Sequence, residues 1–81
     1  MKLKLYTATW CRPCKEFAPL VRNACLSRNI FYEEIDIDTL YSAPIKEVPS
    51  LIVESDNGNI EAICHKQPQQ ELNKFLDHWF S

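Results

Sequence analysis

The first 37 residues change hydrophobic period twice, and this constrains the fold more than any other feature of the chain. From Met1 to Thr7, Leu3 and Leu5 fall on one side and Lys2 and Lys4 on the other, the alternation of a half-covered strand. From Arg12 to about Arg28, Phe17, Leu20, Val21, Ala24 and Cys25 recur at helical spacing, with Lys15, Glu16, Arg22 and Asn23 mostly off the stripe. Phe31 to Ile37 alternates again, which predicts Phe31, Ile35 and Ile37 inward and Tyr32, Glu34 and Asp36 outward. Strand, helix and strand in that order call for a right-handed crossover and a parallel strand pair. Pro13 suits the first helical turn, where a missing N–H costs nothing. Pro19 lies inside the helix, deletes the bond to the Lys15 carbonyl and predicts a kink there.

The remainder of the chain completes the sheet. Asp38 is a candidate cap for a short helical turn through about Ser42, limited by Pro44. Leu51, Ile52 and Val53 form an unbroken apolar run, as expected of a strand covered on both faces. "SDNGN" at 55–59 signals a hairpin, since Asn-Gly accepts positive φ cheaply. Ile60, Ala62 and Cys64 then alternate with Glu61 and Ile63 on the returning strand. Pro68 opens a last helix whose Leu72, Phe75, Leu76, Trp79 and Phe80 line one face. The order β-α-β-(α)-β-β-α predicts an α/β domain: one four-stranded mixed sheet flanked by helices. No linker, repeat or low-complexity tract interrupts residues 1–81, so a single domain is expected.

Composition removes several function classes. Hydrophobic residues are 46% and charged residues 25%, the balance of an ordinary globular protein. The nine basic and eleven acidic side chains are interspersed, and without a basic stripe nucleic acid is not an expected partner. Apolar runs fall far short of a membrane span. "MKLKLYTATW" lacks the apolar core of a secretory signal, so a cytoplasmic, reducing location is expected. Structural disulfides are rare there, and a single glycine with regular periodicity does not suit a disulfide-stapled mini-protein.

Four cysteines remain to be explained. Cys11 and Cys14 form a C-x-x-C, a spacing that chance alone gives four cysteines in roughly one shuffle of seven, so the neighbours must carry the case. Cys11 lies where the first strand ends and the helix begins. Unpaired N–H groups and the helix dipole favour a thiolate there, and Arg12 and Lys15 add positive charge. Cys14 is one turn on, placed to attack a mixed disulfide formed by Cys11, and Pro13 fixes the backbone between them. The chemistry asks for an exposed thiolate followed by a shielded resolving thiol. A rival reading makes Cys11 and Cys14 zinc ligands, with Cys64 and His65 supplying others. Adjacent Cys-His is poor geometry for one tetrahedron, and Trp10 and Pro13 have no part in it. A binding module that merely kept the fold is a third class; it leaves the charges around Cys11 unexplained.

"WCRPCK" at 10–15 resembles the W-C-G-P-C-K active site of thioredoxins, with Arg12 replacing the glycine. Pro19 stands where that family kinks its first long helix, "VPS" at 48–50 where it has an X-Pro bond in the cis form, and "FLDHWF" at 75–80 resembles its terminal helix. "LYTATWC" is similar to glutaredoxins. The resemblance implies a short thioredoxin fold and a thiol–disulfide oxidoreductase that reduces protein disulfides through Cys11 as nucleophile and Cys14 as resolving residue. It further implies a docking groove shaped by Trp10, Val48 and Pro49, with Val48 offering backbone hydrogen bonds to a substrate strand. No bound cofactor is implied. Electrons would come from thioredoxin reductase, or from glutathione if the glutaredoxin likeness governs, and ribonucleotide reductase is a conceivable acceptor. Nothing in the chain calls for more than a monomer.

Departures from the pattern are equally specific. Leu5 occupies the position of the buried Asp thought to assist the resolving cysteine of thioredoxins, and "CHKQ" at 64–67 and Thr9 replace elements of the glutathione site of glutaredoxins. Arg12 between the cysteines favours the thiolate and hence the reduced form, making the pair more oxidising. His65 falls about where thioredoxins have a groove-lining glycine; it could contact substrate, act on the thiols as a base, or simply face solvent. His78 reads as surface and Trp79 as core. Cys25 reads as a small buried hydrophobe, and Cys64 as core rather than a second redox thiol.

Overall fold

The computed structural model describes residues 1–40, 42 and 45–80. It contains β1 (Lys2–Thr7), α1 (Arg12–Ser27), β2 (Glu33–Asp36), a 3₁₀ turn (Ile37–Thr39), β3 (Ser50–Glu54), β4 (Ile60–Cys64) and α2 (Gln69–Phe80). The four strands form one sheet in the order β2-β1-β3-β4. β1 runs parallel to β2, and β3 runs antiparallel to both β1 and β4. The crossover through α1 and the late hairpin are therefore as the periodicity predicts. Gly58 takes φ +87° at the hairpin tip, the left-handed conformation that the Asn-Gly signal anticipates.

Both helices pack on the same face of the sheet. Phe17, Val21, Ala24 and Cys25 of α1 and Leu72 and Leu76 of α2 close over Leu3, Leu5, Leu51, Val53 and Cys64. Phe75, Trp79 and Phe80 pack at the margin of this core. α1 continues through Pro19, with that residue's missing N–H on the exposed side of the helix. The opposite face is buried at Tyr6, Ser50 and Ile52, so the apolar run of β3 is covered on both sides, as expected. Ile63, further toward the edge on that face, stays partly open.

Three local expectations are corrected. Phe31 is 97% exposed, because β2 begins only at Glu33 and Phe31 precedes the sheet; Ile30 and Tyr32 pack against the core instead. The parallel register places Glu34 opposite Leu5 and Ile35 opposite Tyr6, which turns Glu34 toward the helices, where Arg22 of α1 binds its carboxylate at 3.1 Å. The short turn is capped by Asp36, whose carboxylate accepts from the Asp38 amide at 2.9 Å, and it ends at Thr39. Pro44, the expected limit of that turn, lies outside the described residues.

Candidate active site

The two cysteines meet at the carboxyl end of β1, on the side where parallel strands leave a sheet open to ligands. Ala8 accepts a backbone hydrogen bond from the Cys11 amide at 3.1 Å, turning the chain from strand to helix. Cys11 is the N-cap of α1, with Arg12 and Pro13 opening the helix. Its Sγ accepts from the Cys14 amide at 3.2 Å, where Ser or Asp more often serves. Cys11 and Cys14 are joined as a disulfide, with Cα atoms 5.3 Å apart. The same amide that caps the helix is therefore aimed at the sulfur that would carry charge after reduction.

A small apolar cluster, separate from the main core, houses the pair: Ala8, Cys11 and Cys14 are buried, with Ile37 and Val48 packed against them. Cys11 is only 4% exposed, so the expectation of an open first thiol is corrected for this disulfide form. The cause is the segment before β3. The Val48 carbonyl oxygen lies 3.6 Å from Cys11 Sγ, within reach of an S–H donor once the bond is reduced. The Val48–Pro49 peptide bond is cis, as the resemblance implied, and Pro49 is buried.

Trp10 is 67% exposed, and its indole N–H donates to the Asp38 carboxylate at 3.0 Å. That bond holds the ring beside the cysteines, and Asp38, read from the sequence only as a helix cap, is the residue that provides it. Arg12 and Lys15 are exposed on the first turn. Glu16 is paired with Lys66, which ties α1 to the chain after β4. Its carboxyl is held below the ordinary range, first by the hydrogen bond from Lys66, then by the charge of the same ammonium, with Arg12 adding to it. Leu5, in place of a buried acid, is fully enclosed in the core.

His65 comes to the same region from β4. Its Nδ1 lies 3.2 Å from Ser50 Oγ and 3.4 Å from the Pro49 carbonyl oxygen, and its Nε2 lies 3.7 Å from the Glu47 carboxylate. It thus touches the backbone of the X-Pro segment. Ser50, fully buried, escaped the sequence reading; a polar residue opening an apolar strand was the available signal. Cys25 and Cys64 stay in the main core, and His78 is exposed against the edge of Trp79, with ring centroids 5.2 Å apart. Burial pushes the Cys25 thiol up to about 11, against a smaller opposing effect of Arg28, and also raises that of Cys64. Among the described residues no group of three or more His, Cys, Asp or Glu could hold a metal ion, and no helix is long and apolar enough to cross a membrane.

Comparison with known proteins agrees with this geometry. The family model described as Thioredoxin matches residues 2–78. Thioredoxin of Staphylococcus haemolyticus is 29% identical over 83 residues, covering 95% of this chain and 80% of its own length. Thioredoxin of Listeria monocytogenes is 25% identical over 80 residues, covering 91% and 78%. Among solved structures, the germline thioredoxin Deadhead of Drosophila melanogaster superposes with a TM-score of 0.78 at 20% identity, covering 95% of this chain and 78% of that one. Plasmodium falciparum thioredoxin gives 0.78 at 18%, covering 96% and 84%. With a family match over nearly its whole length and a C-x-x-C pair at bridging distance, this chain belongs to the thioredoxin family and is a protein thiol–disulfide oxidoreductase.

Proposed function

We propose that residues 1–81 act as one domain that reduces disulfides in proteins, with Cys11 as the attacking residue and Cys14 as the resolving one. The supporting observation is the Cys14 amide directed at Cys11 Sγ from the start of α1. In the reduced protein that amide and the helix dipole favour the anionic sulfur. The Cys11 thiolate attacks one sulfur of the substrate disulfide, and the other leaves as a thiolate that takes a proton from water. Cys14, once deprotonated, attacks Cys11 Sγ in the mixed disulfide. The second substrate sulfur leaves, the substrate has gained two electrons, and the Cys11–Cys14 disulfide is regenerated. Leu5 offers no carboxylate to Cys14, so water reaching the groove takes the second proton.

Trp10, Val48, Pro49 and His65 form the docking groove, with the Val48 backbone facing a bound peptide strand and Arg12 facing the substrate from the helix start. Thioredoxin reductase is the donor that this reading favours, because "CHKQ" and Thr9 stand in place of the elements of a glutathione site. The setting is cytoplasmic and the acting species a monomer; ribonucleotide reductase is one acceptor to try. The test is insulin reduction driven by NADPH with thioredoxin reductase, set beside glutathione with its reductase. Turnover with the first, its loss in Cys11→Ser and a trapped mixed disulfide in Cys14→Ser are expected. Reduction by glutathione alone would reverse the choice of donor, and a fully active Cys11→Ser would end the assignment of the nucleophile.

A further inference from the structure

We infer that His65 is a positioning residue of the redox site, whose Nδ1–H holds the Glu47–Ser50 segment so that the Val48 backbone stays set against Cys11. The inference deepens the proposed function and rests on Val48 being the docking edge.

The hydrogen-bond inventory around the ring decides how it is used. The Ser50 hydroxyl donates to the Glu47 carbonyl at 2.6 Å, so only its lone pairs are left for the imidazole 3.2 Å away. The second neighbour of Nδ1, the Pro49 carbonyl oxygen at 3.4 Å, can only accept. Both partners of Nδ1 are acceptors, so Nδ1 carries the hydrogen and forks it between them. The neutral ring is therefore the Nδ1–H tautomer, with Nε2 left 3.7 Å from the Glu47 carboxylate, beyond direct hydrogen-bond range.

The resulting relay runs from His65 Nδ1–H to Ser50 Oγ, and from Ser50 Oγ–H to the Glu47 carbonyl. It spans Val48 and Pro49, the residues that approach the sulfurs. Its outer end is fixed by the sheet, because Leu51 pairs with Cys64 and the antiparallel register carries His65 to Ser50. Ser50 is fully buried, which makes its hydroxyl a costly group to leave half-satisfied. A ring at the rim thus governs the placement of a carbonyl 3.6 Å from Cys11 Sγ without itself reaching the sulfur.

The substitution series uses amide geometry: an Asn Nδ2 can take the place of His Nδ1, whereas a Gln Nε2 takes the place of His Nε2. His65→Leu is expected to raise KM for insulin about three- to tenfold, the factor that one net hydrogen bond supports, with kcat changed less. The rate with a small aromatic disulfide, which makes no strand contact, should fall less than the rate with insulin. His65→Asn should recover most of the loss and His65→Gln should not. Ser50→Ala should raise KM similarly, and the His65→Leu/Ser50→Ala double variant no further. Long-range ¹H–¹⁵N correlation of the neutral imidazole should show the hydrogen on Nδ1; finding it on Nε2 overturns the inference. Recovery by Gln instead of Asn, or equal losses with the small disulfide and insulin, overturns it as well. An unchanged KM in His65→Leu with a dead Cys11→Ser would overturn this inference alone, whereas turnover surviving in Cys11→Ser would remove the reading beneath it too.

Discussion

Cys11 and Cys14 stand at the first turn of α1; Cys25 stands near the other end of the same helix and Cys64 at the end of β4. All four side chains are buried, so solvent exposure does not separate them. What separates them is the matter facing each sulfur. Cys11 Sγ meets an amide N–H and lies beside a peptide carbonyl, in a small cluster apart from the main core. Cys25 belongs to the main core with Phe17, Val21 and Leu72, where burial outweighs the charge of Arg28 and disfavours the thiolate. The contrast teaches that two buried thiols differ by what faces the sulfur: a helix-start amide at Cys11, apolar burial at Cys25.

The largest expected effect is in alkylation. A rise from 9.0 to about 11 cuts the thiolate fraction of Cys25 about a hundredfold at neutral pH, before steric protection is counted. In the reduced protein at pH 7, iodoacetamide should modify Cys11 first, with Cys25 and Cys64 modified only on unfolding; mass spectrometry of timed digests reads this directly. Equal rates at Cys11 and Cys25 would erase the contrast.

Hydroxyl substitution sharpens it within the core. Cys25→Ser buries a hydroxyl among apolar groups and should cost about 1–3 kcal/mol in urea unfolding. Cys64→Ser should cost less, because the Cys64 Sγ–H already donates to the His65 carbonyl at 3.4 Å and a serine can keep that bond. Both variants should keep the insulin activity of the parent while folded.

Alkaline titration gives the next effect. With its folded value above its unfolded one, Cys25 loses its proton first in the unfolded chain. The stability it contributes is whole below pH 9 and declines by up to about 1.4 kcal/mol per pH unit as pH climbs through 11. Tyr32, raised to about 12 by burial and by its hydrogen bond to Glu34, extends the decline between pH 10 and 12. Cys25→Ala should flatten the first part of the curve and leave the second. At the active-site end the smallest effect is expected from Arg12→Gly, which should lower the reduction potential by tens of millivolts; about 30 mV equals 1.4 kcal/mol. An unchanged or higher potential in a glutathione redox titration would show that the Arg12 charge does not act on the sulfurs.

Much of this arrangement is legible in the chain itself. The period switches near Thr7 and Phe31 announce the crossover, Asn57-Gly58 announces the hairpin, and the Leu72–Phe80 stripe announces the covering helix. The Cys11–Cys14 pair is legible because its chemistry depends on a local event, the start of a helix. Phe31 misleads because alternation cannot say where pairing begins on a short edge strand. Glu34 misleads because its face is set by register against Leu5, a partner nearly thirty residues away. The enclosure of Cys11 by Ala8, Ile37 and Val48 needs three chain segments to converge, and no window of sequence contains them. The same is true of Asp38 under Trp10 and of His65 over Ser50.

Because a sulfur serves as the end-stop of α1, the helix and the chemistry share one atom. An oxygen at that post would grip the residue-14 amide with constant strength, but a sulfur alternates between anion and bridged neutral with every round of electron delivery. The exchange rate of that single amide proton with deuterium should therefore toggle with the enzyme's oxidation state, a reporter built into the backbone that needs no label.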